Sequence, residues 1–201
     1  MISNIFRFIL LFPIFYWIYL IFFSDLGADP AKSLNHKAGE IALYYILLNL
    51  GVGILISFKF RFPKTLRFLL LNRRYLGVLS FIILVFHLFL YFAMESFEFK
   101  AIEQMYTKTY LICASLAFII LSVLAFTSNN FSVKRLTIKK WKTLHRAIYV
   151  AMFLFSIHVL LIEKTDLIKY GIIFCILWLI QAVRLAQILY RRKDKPREST
   201  S

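Results

Sequence analysis

Three histidines are the residues of this chain whose type and spacing could support chemistry. His87 lies within one long apolar stretch, while His145 and His158 stand 13 residues apart along another. An ionisable side chain in a membrane-length apolar segment is costly and usually functional. Neutral imidazoles at one depth on two helices suit the axial positions of a haem iron, or of another metal ion. The alternative is that each histidine is a hydrogen-bonded packing residue.

Six stretches without Lys, Arg, Asp or Glu are the elements that would position these histidines. A helix needs about 20 apolar residues to cross the hydrocarbon core, with a range of about 17 to 25. The fifth stretch reaches that length with residues 144–146, and the sixth does so if Arg184 snorkels and the helix runs to about Tyr190. The chain is therefore predicted to be an all-α integral membrane protein, a six-transmembrane-helix bundle. The stretches are 8–24, 41–58, 75–94, 109–133, 147–162 and 170–183.

The distribution of charge predicts the orientation of this bundle. No small-residue cleavage site follows the first stretch, so it is interpreted as a retained helix. One side of the membrane then holds 19 of the 25 basic residues and two of the ten acidic ones. The positive-inside rule places this side, with both termini and the basic tail 191–201, in the cytoplasm.

The composition excludes several classes of protein. With 61% hydrophobic residues the chain is too apolar for an ordinary soluble domain. Its net charge of +15 is explained by loops that contact anionic lipid head groups, and those loops are too short to bind nucleic acid. The longest predicted outer loop, 95–108, is too small for a domain. Cys113 and Cys175 lie in apolar runs, where free cysteine packs as a small hydrophobe.

The helical rise places the histidines by depth. At 1.5 Å per residue, His87 lies about 18 Å along the third span and His158 about 24 Å along the fifth, so both fall in the outer half of the bilayer. No carboxylate or thiolate lies near their level, which argues against a zinc or di-iron carboxylate site. The apolar pocket that a haem needs could be lined by Phe81, Phe86, Phe89, Phe153 and Phe155.

A second haem could lie nearer the cytoplasmic face. His145 is about 20 Å from His158 along the helix, a plausible spacing for two stacked haems. The two imidazoles are about 140° apart around an ideal helix, so tilt or a locally wound turn must bring them to one seam. Arg73 lies 14 residues before His87, within about 40° of the same face, where a partner for His145 is expected. Arginine is a poor iron ligand but pairs with a haem propionate. An ordinary positive-inside residue is the alternative for Arg73.

His36 is the fourth histidine and stands in the segment NHKAGE, 35–40. It is predicted to precede the second span at its outer mouth. There it could meet a propionate or a partner protein, or serve in helix capping and water contact.

Five short motifs between about residues 24 and 165 resemble the MsrQ family, also called YedZ, of the ferric-reductase-like transmembrane group. They are LGADP (26–30), HKAG (36–39), RRYLG (73–77), LAFTS (124–128) and WKTLHRAIY (141–149). His87 follows the third motif and His158 the last. One position departs from the pattern, since 108–110 reads Lys-Thr-Tyr where the family often has Arg-Pro-Tyr. The resemblance implies a single domain over 1–201 with core helices at about 41–165.

The resemblance also implies a function. Members are haem b subunits of the bacterial inner membrane that pass electrons from the quinone pool or a cytosolic flavin reductase to MsrP. MsrP is a periplasmic molybdenum enzyme that reduces methionine sulfoxide, so the chain itself would be an electron-transfer subunit. On the family pattern His87 and His158 match the ligands of one haem iron, and His145 matches the ligand of a second. FMN is also attributed to the family, but no residue here marks a flavin site.

Two other functions are compatible with the sequence. A metalloreductase would send electrons to extracellular ferric or cupric ions. Such systems commonly carry a flavin and nicotinamide domain on the same chain, and none is found here. A small non-redox membrane transporter would have intramembrane charged pairs or helices broken at mid-membrane. Gly51 and Gly53 in the second span are the weak hint of that function.

Overall fold

The chain folds as a set of helices in the computed structural model, which describes residues 12–58, 67–162 and 165–193. The predicted all-α class is confirmed for these residues. The helices are α1 Phe12–Phe23, α2 Pro30–Ser57, α3 Arg67–Leu71, α4 Arg73–Met94, α5 Phe99–Thr107, α6 Thr109–Phe126, α7 Asn130–Leu144, a 3-10 turn His145–Ala147, α8 Ile148–Leu160 and α9 Leu167–Lys193.

Five helical segments in the described ranges are long and apolar enough to cross a membrane, so this is a multi-pass membrane protein. They are α2, α4, α6, the segment Asn130–Leu160, which is kinked at Thr137, and the part Leu167–Gln187 of α9. Helix α1 is a 12-residue piece of the predicted first span, whose residues 8–11 lie outside the described ranges. The sixth crossing and the cytoplasmic termini therefore stay predictions, as does the tail beyond 193.

The two ends of the bundle differ in charge. Asp29 before α2 and Glu95 after α4 lie at one end, which we call the acidic end. Arg73 at the start of α4 and Lys142 in α7 lie at the other, which we call the basic end. The predicted orientation puts the basic end in the cytoplasm.

The helices associate in two main pairs. Helix α2 packs along α4, and α6 packs along α8, while the two pairs meet more loosely. The core between them contains fully buried apolar side chains of α2, α4 and α8, namely Leu43, Leu76, Ile83 and Met152. His87 belongs to the first pair and His158 to the second, so the two histidines lie on opposite sides of the seam between the pairs.

Helix α2 begins much earlier than predicted, at Pro30 instead of residue 41. The Asp29 side chain accepts a hydrogen bond from the backbone N–H of Lys32 at 3.0 Å, and a proline occupies the first turn. This capped start stabilises polar first turns that hydropathy alone would exclude. His36 therefore lies inside α2 and is exposed, and its predicted place before the helix is wrong.

The fourth span also ends earlier than predicted, at Phe126 instead of residue 133. A new helix, α7, follows because the Asn129 side chain accepts from the backbone N–H of Ser132 at 2.8 Å. Helix α7 is described along its whole length and contains no buried residue; its backbone breaks at Thr137, where φ is 67°. The helical turns that lead into His145 therefore resume after the break at Thr137, and so begin before residue 144.

The predicted outer loop 95–108 contains a helix of its own, α5. Ser96 and Phe97 turn the chain with positive φ before it begins. Its inner side is fixed because the Tyr91 hydroxyl donates to the Ala101 carbonyl at 3.1 Å. Helix α5 consequently covers the acidic ends of α4 and α6.

Candidate functional site

His87 is held against α2 by two reciprocal hydrogen bonds. Its Nδ1 lies 2.9 Å from the backbone oxygen of Asn35, and the Asn35 side-chain amide donates to the backbone oxygen of His87 at 2.9 Å. Because a carbonyl oxygen can only accept, Nδ1 must carry the proton in the neutral ring. The lone pair is then on Nε2, which is the atom that a metal would bind.

His158 has the same arrangement on the other helix pair. Its Nδ1 lies 2.9 Å from the backbone oxygen of Tyr110, in the first turn of α6. The imidazole is buried beside the rings of Tyr110 and Phe155, each with its centroid 5.9 Å away. This carbonyl fixes the same tautomer, so His158 also presents an Nε2 lone pair.

Glycine at position 39 makes room for the His87 ring. A Cβ atom there would lie 3.0 Å from Cε1 and 3.2 Å from Nδ1 of His87. That is tighter than nine in ten real Cβ contacts, so a side chain at 39 would require the imidazole to shift by a few tenths of an ångström. Helix α2 therefore supplies both the hydrogen-bonding partner of His87 and the space in which its ring lies.

Together these contacts leave Nε2 of both His87 and His158 able to bind a metal. The two rings lie on the two sides of the seam where the helix pairs meet loosely. Metal-binding histidines characteristically donate their other ring N–H to a backbone carbonyl or carboxylate, which fixes tautomer and orientation. The residues present thus fit a haem iron.

The predicted aromatic lining is found only in part. Phe155 lies beside His158, but Phe89 and Phe153 are 54% and 55% exposed and point away from the core. Phe81 instead lines a cavity at the basic end. Sequence reasoning missed Trp17 of α1, whose buried ring lies 4.6 Å from that of Phe86 and whose indole N–H has no partner among the described residues.

His145 has a different environment at the basic end. It is half-buried, its Nε2 lies 3.3 Å from the Thr127 hydroxyl, and its ring contacts Trp141 with centroids 4.0 Å apart. The 3-10 turn that begins at His145 advances about 20° more per residue than an α-helix. Over three residues this narrows the angle to His158 from about 140° to about 80°. A locally wound turn is therefore present, but it reduces the angle between the two imidazoles without bringing them to one seam.

A cavity of about 760 Å³ lies at the basic end, and Arg73 and His145 are both among the residues that line it. Its size is within the usual range for cofactor sites. Its aromatic walls come from Phe81, Trp141 and Tyr149. None of the described residues that line it is Asp or Glu. Its positively charged side chains are Arg73, Arg74, Lys142, Arg146 and Arg184.

Arg184 differs most from its sequence interpretation. It was predicted to snorkel towards the membrane surface, but its Nη1 donates to the Tyr149 hydroxyl of α8. The guanidinium therefore points into the bundle and forms part of the cavity wall. Nothing in the sequence pairs position 184 with position 149, so this contact could only be found in the fold.

A sequence model of the family described as ferric reductase like transmembrane component matches residues 38–156, more than half of the chain. The haem-binding subunit MsrQ of a protein-methionine-sulfoxide reductase from Rhodospirillum rubrum is 33% identical over 174 residues, covering 85% of this chain and 81% of the relative. The chain belongs to the MsrQ family. The MsrQ subunit from Salmonella enteritidis is 30% identical over 183 residues, covering 90% of this chain and 86% of the relative.

A third MsrQ subunit, from Azospira oryzae, is 29% identical over 184 residues, covering 87% of this chain and 77% of the relative. No solved structure matches the chain. The resemblance inferred from the five motifs is thus confirmed. The matched part of this MsrQ-family chain contains Arg73, His87 and His145 but ends before His158 and before α9.

Proposed function

We propose that this chain is the haem-binding membrane subunit that carries electrons through the bacterial inner membrane to a periplasmic methionine sulfoxide reductase. The observation that carries the proposal is the matched pair at the acidic end. His87 and His158 each have Nδ1 held 2.9 Å from a backbone carbonyl and Nε2 left to bind iron. A bound haem b supplies reversible one-electron chemistry at that position.

The chain's own residues orient and shield the site. The Asn35 and Tyr110 carbonyls fix the imidazole tautomers, and Gly39 keeps α2 close to His87. His158 is buried and His87 is partly buried, which limits the access of water and, together with ligand identity, sets the reduction potential. His145 is the residue that would hold a second haem at the basic end. FMN is a further cofactor that the family resemblance predicts, and no residues are assigned to it.

The complete reaction requires a donor and a partner. Reducing a methionine sulfoxide to methionine consumes two electrons and two protons and releases water. That step belongs to the periplasmic partner, proposed to be an MsrP-like molybdenum enzyme. The electrons come from membrane quinol or from a cytosolic flavin reductase at the basic end. The acidic end then faces the partner.

Electron delivery can be tested with the purified protein in lipid vesicles. The protein is reduced with a stoichiometric amount of dithionite, and reoxidation is followed by absorbance after adding oxidised MsrP and methionine sulfoxide. With MsrP in catalytic amount, we expect complete reoxidation only when methionine sulfoxide is also present, and none in His158→Ala. Reoxidation by ferric citrate but not by the partner would instead establish a metalloreductase.

A further inference from the structure

Arg184 contributes a half-buried, partly unpaired guanidinium to the basic-end cavity. Its Nη1 donates to the Tyr149 hydroxyl and lies 3.4 Å from the Gln181 side-chain oxygen. Its Nε and the Gln181 Nε2 are both buried and have no partner among the described residues. A buried donor without an acceptor is costly, so both atoms point to a missing hydrogen-bond acceptor.

Arg73 approaches the same region from α4. Its Nε lies 3.4 Å from the Asn49 side-chain oxygen, and a Cβ atom at Gly53 would lie 2.8 Å from its Nη2. The glycine therefore leaves the space in which the guanidinium rests. Arg73 and Arg184 are near enough for their charges to interact.

The two arginines lack a counter-charge in the described part of the cavity. None of its described lining residues is acidic, and Lys142 and Arg146 add further positive charge. Like charges held together away from bulk water repel each other, and an anion between them would relieve both the repulsion and the unpaired donors.

We propose that Arg184 and Arg73 form a pocket for the acid group, a carboxylate or a phosphate, of a planar cofactor in this cavity. The inference deepens the proposed function and rests on it for the redox role of that cofactor. Guanidinium groups suit the task because their rigid fork binds carboxylate and phosphate oxygens in a bidentate way. Trp141 and Tyr149 provide aromatic walls for the ring system. A haem propionate and a flavin phosphate share this acid chemistry.

Binding of a haem propionate and binding of a flavin phosphate can each be tested with an acidic probe and its neutral analogue. Purified full-length protein, with the paired-histidine site already saturated, is titrated with haemin or haemin dimethyl ester, and separately with FMN or riboflavin. The variants are Arg184→Gln, Arg184→Lys and the control Arg135→Gln, which removes the same charge from an exposed position of α7. Thermal unfolding of each variant checks that it is folded.

We expect the wild-type protein to bind one acid probe about tenfold or more tightly than its neutral analogue, as one charge-assisted hydrogen bond would give. Arg184→Gln should lose that preference, Arg184→Lys should keep part of it, and Arg135→Gln should keep all of it. A preference for haemin identifies a propionate pocket, and one for FMN a phosphate pocket.

Two results would overturn the inference. One is a wild-type protein that binds the acid and neutral forms equally, and the other is an Arg184→Gln variant that keeps the full preference. The spectrum of the paired-histidine site is recorded on the same samples. If the protein lacks the spectrum of a haem bound by His87 and His158 but still prefers the acidic probe, the proposed function is rejected and the arginine pocket is not.

Discussion

The acidic-end histidine pair and the basic-end cavity differ in the groups that position their functional side chains and in what they can bind. At the acidic end two deeply placed imidazoles each have Nδ1 2.9 Å from a backbone carbonyl. At the basic end one half-buried imidazole lies 3.3 Å from a hydroxyl, beside a cavity of about 760 Å³ rich in positive charge. The acidic end thus provides two nitrogen atoms that could bind a metal. The basic end provides positive charge and space for a bound molecule.

The two regions differ in how many of their positioning groups a substitution can remove. Backbone carbonyls orient His87 and His158, and no side-chain replacement removes them. The basic end depends on side chains throughout, since Thr127, Trp141 and Tyr149 are the groups that hold His145 and Arg184. We therefore expect the acidic end to fail only when a ligand or its space is lost, and the basic end to respond to many substitutions.

Removing a ligand should have the largest effect. His87→Ala deletes one of the two Nε2 atoms, so the acidic-end haem should be lost completely. Haem per chain, measured as the pyridine haemochrome, checks this, with the exposed neighbour His36→Ala as control. A His87→Ala protein with the full haem content would reject the paired-ligand assignment.

His145→Ala should have a smaller and selective effect. The acidic-end spectrum should persist because the 2.9 Å contacts of His87 and His158 do not involve His145. If a second haem is bound, haem per chain should fall only in part. Loss of the acidic-end signal in this variant would show that the two regions are not independent.

A single methyl group tests the space around His87. Gly39→Ala places Cβ 3.0 Å from the ring, whereas Gly51→Ala on the same helix meets nothing within 4 Å. Overpacking of this kind costs about 1–3 kcal/mol, so Gly39→Ala should weaken haem retention and shift the spectrum. Equal spectra and equal haem dissociation rates for the two variants would contradict the close approach of α2.

Asn35→Ala should have the smallest effect. It removes the side-chain bond to the His87 carbonyl but keeps the backbone oxygen that accepts from Nδ1. A loss of about 0.5–1.5 kcal/mol in unfolding free energy is expected, with the haem spectrum retained. Haem loss as complete as in His87→Ala would mean that the Asn35 amide, not the carbonyl, orients the ring.

The membrane spans could largely be predicted from sequence because the hydrocarbon core demands long apolar helices. The starts of α2 and α7 were missed although their signals are present as Asp29-Pro30 and Asn129. Hydropathy alone assigns these polar turns to loops, whereas local capping chemistry includes them in the helices. Helix α5 has no side-chain cap, and it was missed because its mixture of polar and apolar residues gives no hydropathy signal.

The sequence was enough to predict how deep in the membrane the site residues lie, but not which residues they contact. The helical rise was enough to place His87 and His158 at one end of the bundle. The hydrogen bonds of their Nδ1 atoms could not be foreseen, because every residue offers a carbonyl and only packing selects Asn35 and Tyr110. Arg184 was misinterpreted because a cation near a helix end usually snorkels.

The most direct test of the account is a dithionite-reduced-minus-oxidised spectrum of the purified protein with haem counted per chain, repeated for His158→Ala. The account predicts a six-coordinate b-type spectrum from at least one haem, lost when His158 is replaced. A colourless protein that also fails to take up added haem, or a spectrum that survives His158→Ala unchanged, would contradict it.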